Sequence, residues 1–254
     1  MKNISDIISQ AEEYSRELPP LPANCGALVQ PVARYLDSAL HKPEATPEDV
    51  RKLCAEALQW NIAGVYTNPV YLPLVADLLK NSTITVGSIA GFPLGGFLTK
   101  TKVFEAITYI EMGASEIDMV LSVGQLKAGE YQAVLDDITA VADAVHSKGK
   151  IIKVILETSL LTRDEKIIAC LLAQAGKADF VKTSTGFSSA GATVEDVDLM
   201  RRVVGTTMKV KASAGIHTLE KTLALIHAGA DRLGTSKAAL ISADAEKLKV
   251  GIDG

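Results

Sequence analysis

Eight short apolar runs, most of them followed by a run with helical periodicity, constrain the fold of this chain more than any other feature. They lie at Ala33–Asp37, Ala63–Thr67, Thr83–Ala90, Glu116–Leu121, Ile151–Glu157, Phe180–Thr183, Val210–Ser213 and Arg232–Gly234. Several are continuously apolar rather than alternating, the pattern of parallel strands covered on both faces. Parallel neighbours need right-handed crossovers, and eight β/α units with no composition break between them predict a closed (β/α)₈ TIM barrel. The alternative is an open doubly wound sheet, but no GxGxxG follows the first run and no Walker A sequence is present.

The helices are punctuated in the sequence. Thr46-Pro47-Glu48-Asp49, Thr162-Arg163-Asp164-Glu165 and Thr193-Val194-Glu195-Asp196 each set a capping threonine three residues before a carboxylate. Gly113, Gly149, Gly176, Gly205 and Gly229 fall at the ends of helical patterns, where left-handed caps are expected. From Ile4 to Leu18, the residues Ile4, Ile7, Ile8, Ala11 and Tyr14 recur at helical spacing with acidic residues between them. This predicts an additional N-terminal helix covering one end of the barrel, not a targeting peptide. Pro19-Pro20-Leu21-Pro22 ends that helix and stiffens the connector. The expected organisation is one domain over 1–254, with helix and connector in 1–30 and barrel in 31–250.

Composition narrows the function classes. The chain has 254 residues, 48% hydrophobic and 22% charged, enough apolar material for one sizeable core. A net charge of −4 with scattered Lys and Arg argues against a nucleic-acid surface. No apolar run approaches a membrane span, so no membrane association is expected. Cys25, Cys54 and Cys170 form no metal or redox motif and read as reduced thiols of a cytoplasmic protein. His41, His146, His217 and His227 show no ligand spacing, so no metal is expected. Apolar residues on barrel helices are common and need not mark interfaces, which leaves assembly into a homo-oligomer open.

In a barrel the functional groups sit at the C-terminal ends of strands and in the loops beyond them. Lys182 ends an apolar strand before Thr183-Ser184-Thr185-Gly186. Burial disfavours an ammonium, lowers its pKa and makes a neutral amine available, as a Schiff-base lysine requires. A strand-end lysine can also simply snorkel to solvent. The next strand repeats the design in Lys211-Ala212-Ser213-Ala214-Gly215, and two neighbouring ammoniums depress at least one pKa further. Lys209 shares the face of Lys211, which is favoured because it lies nearer the strand's end. Asp118 is the carboxylate placed to hold a lysine or move protons, while Glu116 on the same face lies nearer the strand's start. Lys153 and Glu157 read as a pair on one face, with Lys153 supporting the site from behind. Asp37, at the end of the first run, can orient a lysine or cap a turn. Gly186, Ser213-Ala214-Gly215 and Gly234-Thr235-Ser236 follow the sixth to eighth strands, where barrels commonly bind phosphate.

Taken together these residues resemble the 2-deoxyribose-5-phosphate aldolases, class I lysine aldolases on a (β/α)₈ barrel. The resemblance runs from about Asp37 to Ser236 and rests on Lys42-Pro43-Glu44-Ala45-Thr46, Asn68-Pro69, Gly91-Phe92-Pro93-Leu94-Gly95, the Glu116 and Lys153 strands, the Lys182 segment with Gly191 to Val197 behind it, and Val210-Lys211-Ala212-Ser213. It implies that Lys182 forms the Schiff base, that Lys211 perturbs its pKa and that Asp118 relays protons through a water. It also implies phosphate binding around Gly186, Gly215, Gly234 and Ser236. The implied reaction is reversible cleavage of 2-deoxy-D-ribose 5-phosphate to acetaldehyde and D-glyceraldehyde 3-phosphate, without metal or organic cofactor.

The chain departs from the family pattern at Ser38, Ala39, Tyr66, Phe97 and Leu98, and at three positions of the expected phosphate pocket. Ala214 stands for the first glycine of a Gly-Gly turn, His217 for an arginine and Lys237 for a serine. Lys237 is expected to supply the permanent charge that a neutral His217 cannot. The rival readings are another class I aldolase or transaldolase acting on a different phosphosugar, and a non-catalytic phosphosugar-binding barrel.

Overall fold

A computed structural model describes residues 3–23 and 25–248 of the chain; the expected domain limits at 1–2 and 249–254 lie outside them. Eight parallel strands form a closed barrel in sequence order, with β1 pairing β8. They are β1 (Leu36–Leu40), β2 (Gly64–Thr67), β3 (Thr85–Ala90), β4 (Glu116–Val120), β5 (Ile151–Ile155), β6 (Phe180–Lys182), β7 (Lys209–Ser213) and β8 (Arg232–Thr235). The helices are α1 (Ile4–Arg16), α2 (Pro47–Trp60), α3 (Leu72–Leu79), α4 (Thr99–Glu111), α5 (Val123–Lys127), α6 (Tyr131–Ser147), α7 (Arg163–Ala175), α8 (Val194–Val204), α9 (Leu219–His227) and α10 (Ala238–Lys247). From α2 onward a helix crosses between each pair of strands, as the alternation in the sequence predicts.

The two faces of the strands differ sharply. Outward residues such as Leu36, Val65, Ile117, Met119, Val154, Val181, Val210 and Leu233 are buried in one apolar cluster with the inner faces of the helices. Inward residues are largely polar, and their register brings Asp118 beside Lys153, and Lys182 beside Lys211. The hydrophobic core therefore lies between sheet and helices, and the barrel lumen holds charges that only mutual pairing can stabilise.

Thr46 and Thr162 complete reciprocal capping boxes with Asp49 and Glu165, and Thr193 caps α8 by accepting from the Asp196 N–H. Gly113, Gly149, Gly205 and Gly229 have positive φ, but Gly176 does not: the left-handed residue after α7 is Lys177, at φ 63°. Gly176 is instead required by packing, because a Cβ there would lie 2.6 Å from Ile138 Cγ2.

Two elements near the start differ from the sequence expectation. Residues Val32–Tyr35 form a 3₁₀ turn and β1 begins at Leu36, so the first strand runs later than Ala33–Asp37. The N-terminal helix ends at Arg16 and lies against the outside of α7, where Ile7 and Ala11 are buried, rather than over an end of the barrel. The connector does that instead. Gly26, Ala27 and Gln30 border a depression shared with Met208, Lys209 and Asp231 at the N-terminal end of the strands. Gly26 adopts φ 84° with its Cβ direction 2.3 Å from the His227 carbonyl oxygen, an approach only glycine allows.

Candidate active site

At the centre of the lumen, Asp118 on β4 is fully buried and surrounded by amines. Its Oδ2 accepts from Lys182 Nζ at 2.7 Å and from Lys211 Nζ at 3.0 Å, and its Oδ1 lies 3.2 Å from Lys153 Nζ. Asp37 Oδ2 is 2.7 Å from Lys211 Nζ, and Asp37 Oδ1 accepts from Arg232. Arg232 also lies 3.5 Å from Glu116 Oε1, and Glu116 Oε2 is 2.5 Å from Lys153 Nζ. The Tyr66 hydroxyl donates to Glu116 and accepts from Lys153 at 2.7 Å, while its ring centroid lies 3.6 Å from Lys211 Nζ.

Period-two alternation produces this cluster, since each residue occupies an inward position on its strand. Glycines make room for it. A Cβ on Gly87 would lie 2.0 Å from the Tyr66 ring, and one on Gly64 would lie 2.7 Å from Asp37 Oδ1. The large phenol thus fits because its neighbour on β3 has no side chain.

Among the described residues the charges do not balance: Lys153, Lys182, Lys211 and Arg232 face three carboxylates, Asp37, Glu116 and Asp118. Release of one proton would restore neutrality. Burial brings the Lys182 pKa down to about 8, with Lys211 and Lys153 pushing it further down against the pull of Asp118. Burial would also lower Lys153, yet Asp118 and Glu116 outweigh it and raise that pKa. Asp118 itself is held well below the usual carboxylate range, because Lys153, Lys182 and Lys211 overcome the effect of burial. Glu116 is brought to about 2 by Lys153 and Arg232 against the same opposition. A lowered pKa makes a neutral, nucleophilic amine at Lys182 available closer to neutral pH than in a free lysine.

Lys182, 5% exposed, is also at the wall of a cleft of about 500 Å³ at the C-terminal end of the strands. Gly186, Gly215, Gly234, Ser236 and His217 line the β6–β8 side of this cleft. Gly186 and Gly215 have φ of 90° and 69°, and Ala214 adopts 69° although it carries a side chain. Lys237 precedes α10 and borders an adjacent depression with Lys42 and Lys52 rather than the cleft itself. Another amine is nearer: Lys221 Nζ lies 3.6 Å from the position a Cβ on Gly215 would take.

The sequence-predicted residues Lys182, Lys211, Asp118, Lys153 and Asp37 thus meet in one network. Asp37 reaches it differently than expected, because it is the second residue of β1 and lies low in the lumen instead of at the strand's end. Glu157 is not paired with Lys153: β5 ends at Ile155, Glu157 turns to φ 58°, and its carboxylate receives the Thr185 N–H at 3.3 Å and the Thr185 hydroxyl. Parity fails once the strand has ended, and Glu157 buttresses the loop after Lys182. Lys209 is exposed at the start of β7. Tyr66, a departure from the family pattern, lines the cleft; sequence reasoning missed its bonds to Glu116 and Lys153, and missed Arg232, although Arg232 shares a face of β8 with Gly234. It also missed His41, whose neighbours come from other loops. His41 lines the cleft, and burial together with the nearby Lys182 lowers its pKa to about 3, so its imidazole is neutral.

Known proteins share this arrangement of chain. Residues 32–237 match the model of the DeoC/LacD family aldolases. A deoxyribose-phosphate aldolase from Thermococcus kodakarensis is 51% identical over 81% of this chain and 92% of its own length. A crystal structure from Coccidioides immitis superimposes with a TM-score of 0.89 at 37% identity, covering 96% of this chain and 98% of that one. The deoxyribose phosphate aldolase from Aeropyrum pernix, whose tetrameric structure is described as unique, gives 0.80 at 30% identity over 97% and 100% of the two chains. A buried lysine pair on a shared carboxylate, set in a closed barrel with relatives of this closeness, makes the chain a member of the DeoC/LacD aldolase family.

Proposed function

We propose that this protein is a deoxyribose-phosphate aldolase, reversibly cleaving 2-deoxy-D-ribose 5-phosphate to acetaldehyde and D-glyceraldehyde 3-phosphate through a Schiff base on Lys182. The observation that carries the reading is the Lys182 amine itself: it lines the cleft, has its pKa lowered to about 8, and shares one oxygen of Asp118 with Lys211. The neutral amine adds to C1 of the open-chain sugar, and the carbinolamine loses water to give a protonated imine. Removal of the C3 hydroxyl proton then breaks the C2–C3 bond. Its electron pair passes to the imine nitrogen, releasing glyceraldehyde 3-phosphate and leaving the enamine of acetaldehyde. Protonation at C2 and hydrolysis return the free lysine.

Asp118 and Lys211 serve the proton transfers. A carboxylate held so far below its usual range by three lysines is a weak base; in this scheme Asp118 relays the proton through a water, while Lys211, hydrogen-bonded to the same oxygen, lowers the Lys182 pKa. Lys153 and Asp37 hold this pair from below. Gly186, Gly215, Gly234 and Ser236 surround the phosphate, with His217 beside them and Lys237 outside as a more distant cation. No metal or organic cofactor takes part in this scheme. Self-association is part of the proposal, supported by the tetramer described for the Aeropyrum pernix relative. So is a cytoplasmic location, with which the free thiols of Cys25, Cys54 and Cys170 agree. Among the described residues no helix is long and apolar enough to cross a membrane.

Borohydride reduction in the presence of acetaldehyde tests the central claim. One ethyl group should be added at Lys182, and none in Lys182→Leu. Labelling at Lys153 or Lys211, or labelling that persists in the variant, would overturn the assignment.

A further inference from the structure

Tyr66 has no part in the scheme above, yet it stands against both lysine clusters of the lumen. It is buried, lines the cleft, and is one of the positions where the chain departs from the family pattern. Its hydroxyl donates to Glu116 and accepts from Lys153 at 2.7 Å, which ties the ring at one end. Burial and Glu116 push the phenol well above its ordinary pKa, so the hydroxyl stays protonated and keeps donating. On β3 a Cβ at Gly87 would lie 2.0 Å from the ring, so the ring packs directly on the glycine backbone.

Over the ring fixed in this way lies the Lys211 ammonium, 3.6 Å from the centroid. An aromatic face attracts a cation within about 6 Å, most strongly where water is excluded. Lys153, bonded to the hydroxyl, is farther from the centroid at 5.2 Å. Two carboxylates compete for the same Lys211 ammonium. Asp37 Oδ2 is 2.7 Å away and low in the lumen, while Asp118 Oδ2 is 3.0 Å away and shared with Lys182. Coulomb attraction has no preferred direction, so the carboxylates alone would let Lys211 sink toward Asp37 and away from Lys182. A rigid aromatic face removes that freedom.

We infer that Tyr66 is a positioning residue for the reaction, whose ring face holds the Lys211 ammonium beside Asp118 and the Lys182 amine. The inference rests on the aldolase reading and adds to it the device that keeps the two amines together. Its effect is read at Lys182, which faces Asp118 from β4, Lys153 from β5, Lys211 from β7 and the neutral His41 beyond β1. Lys211 faces Asp37 and Asp118, and Arg232 of β8 occupies the other oxygen of Asp37. Of these groups only Lys211 rests on the face of the ring. Its charge lowers the Lys182 pKa, so an ammonium that drifts away lets that pKa rise.

Acetylation of Lys182 by a trace of acetic anhydride, followed across pH by peptide mass spectrometry, reports the free amine without calling on turnover. Its midpoint should lie near pH 8 in the unmodified protein and move up by about half a unit in Tyr66→Leu, which has no ring. Tyr66→Phe keeps the face and should stay within about 0.2 unit of the unmodified protein. In a Lys211→Leu background, Tyr66→Leu should add no further shift. A midpoint that does not move in Tyr66→Leu would make Tyr66 a structural filler and overturn the inference. An equal shift in Tyr66→Phe would assign the effect to the hydroxyl, and an undiminished shift without Lys211 would assign it to exclusion of water; either result overturns it too. Should Tyr66→Leu not fold, Tyr66→Cys also lacks the ring and carries the same expectation. Failure of borohydride to trap acetaldehyde on the unmodified protein would instead overturn the aldolase reading, leaving the acetylation midpoints to judge the ring by themselves.

Discussion

Lys182 and Lys211 occupy equivalent places on neighbouring strands, yet their surroundings differ. Lys211 is held between two carboxylates, Asp37 and Asp118, with an aromatic face beneath it, whereas Lys182 has one carboxylate oxygen and the cleft. Replacing Lys211 with Leu removes a positive charge that lowers the Lys182 pKa and leaves Asp118 Oδ2 to Lys182 alone. Both changes raise that pKa. The rising limb of the kcat/KM profile, expected near pH 8 in the unmodified protein, should move to higher pH, and kcat should fall far more than KM rises. A limb that stays in place would refute the lysine-pair argument. The phosphate end allows a parallel comparison. Lys237→Ser and Lys221→Ala should each lower kcat/KM for 2-deoxyribose 5-phosphate more than for 2-deoxyribose, with the larger effect at Lys221, whose amine approaches Gly215. Equal losses on both sugars would show that neither amine reads the phosphate.

Among the elements, β2 and β3 depend on each other through one large and one absent side chain. Gly87→Ala would drive a methyl group into the Tyr66 ring, whose hydroxyl is tied to Glu116 and Lys153 and cannot yield without breaking those bonds. The variant should lose about 1–3 kcal/mol of stability in urea denaturation and most of its activity. In a Tyr66→Cys background the same alanine should cost much less, and purely additive losses would refute the pairing. This pair was not legible in the sequence, because cross-strand complementarity depends on register, and register is set by closure of the whole barrel. What was legible followed from periodicity and punctuation. The strands carrying Asp118, Lys182 and Lys211, and the threonine caps of α2, α7 and α8, required only local patterns. Asp37 and Glu157 were misplaced at strand boundaries, where an apolar run and a hydrogen-bonded strand cease to coincide. His41 was invisible for another reason: its place in the cleft depends on packing against Phe92, contributed by the loop after β3.

Across the whole molecule, the surplus cation in the lumen links activity to stability. The barrel closes around four cations and three carboxylates, so folding at neutral pH must either bury an unbalanced charge or release a proton from Lys182. An unfolded lysine titrates near 10.4, and the folded one near 8. Below pH 8 both forms hold the proton and the folded state bears the full cost. Between about pH 8 and 10.4 the unfolded chain binds more protons, so this group's contribution to stability improves as the pH rises. Lys182→Met removes the surplus charge and leaves Asp118 paired with Lys153 and Lys211. It should therefore be inactive and, at pH 7, more stable than the unmodified protein by on the order of 2 kcal/mol, the shift being partly offset by the lost bond to Asp118. Urea denaturation at pH 7 and pH 9.5 checks this, since the advantage of the variant should shrink at the higher pH. A variant less stable at pH 7, or an advantage that does not change with pH, would mean that the lumen accommodates its fourth cation without strain.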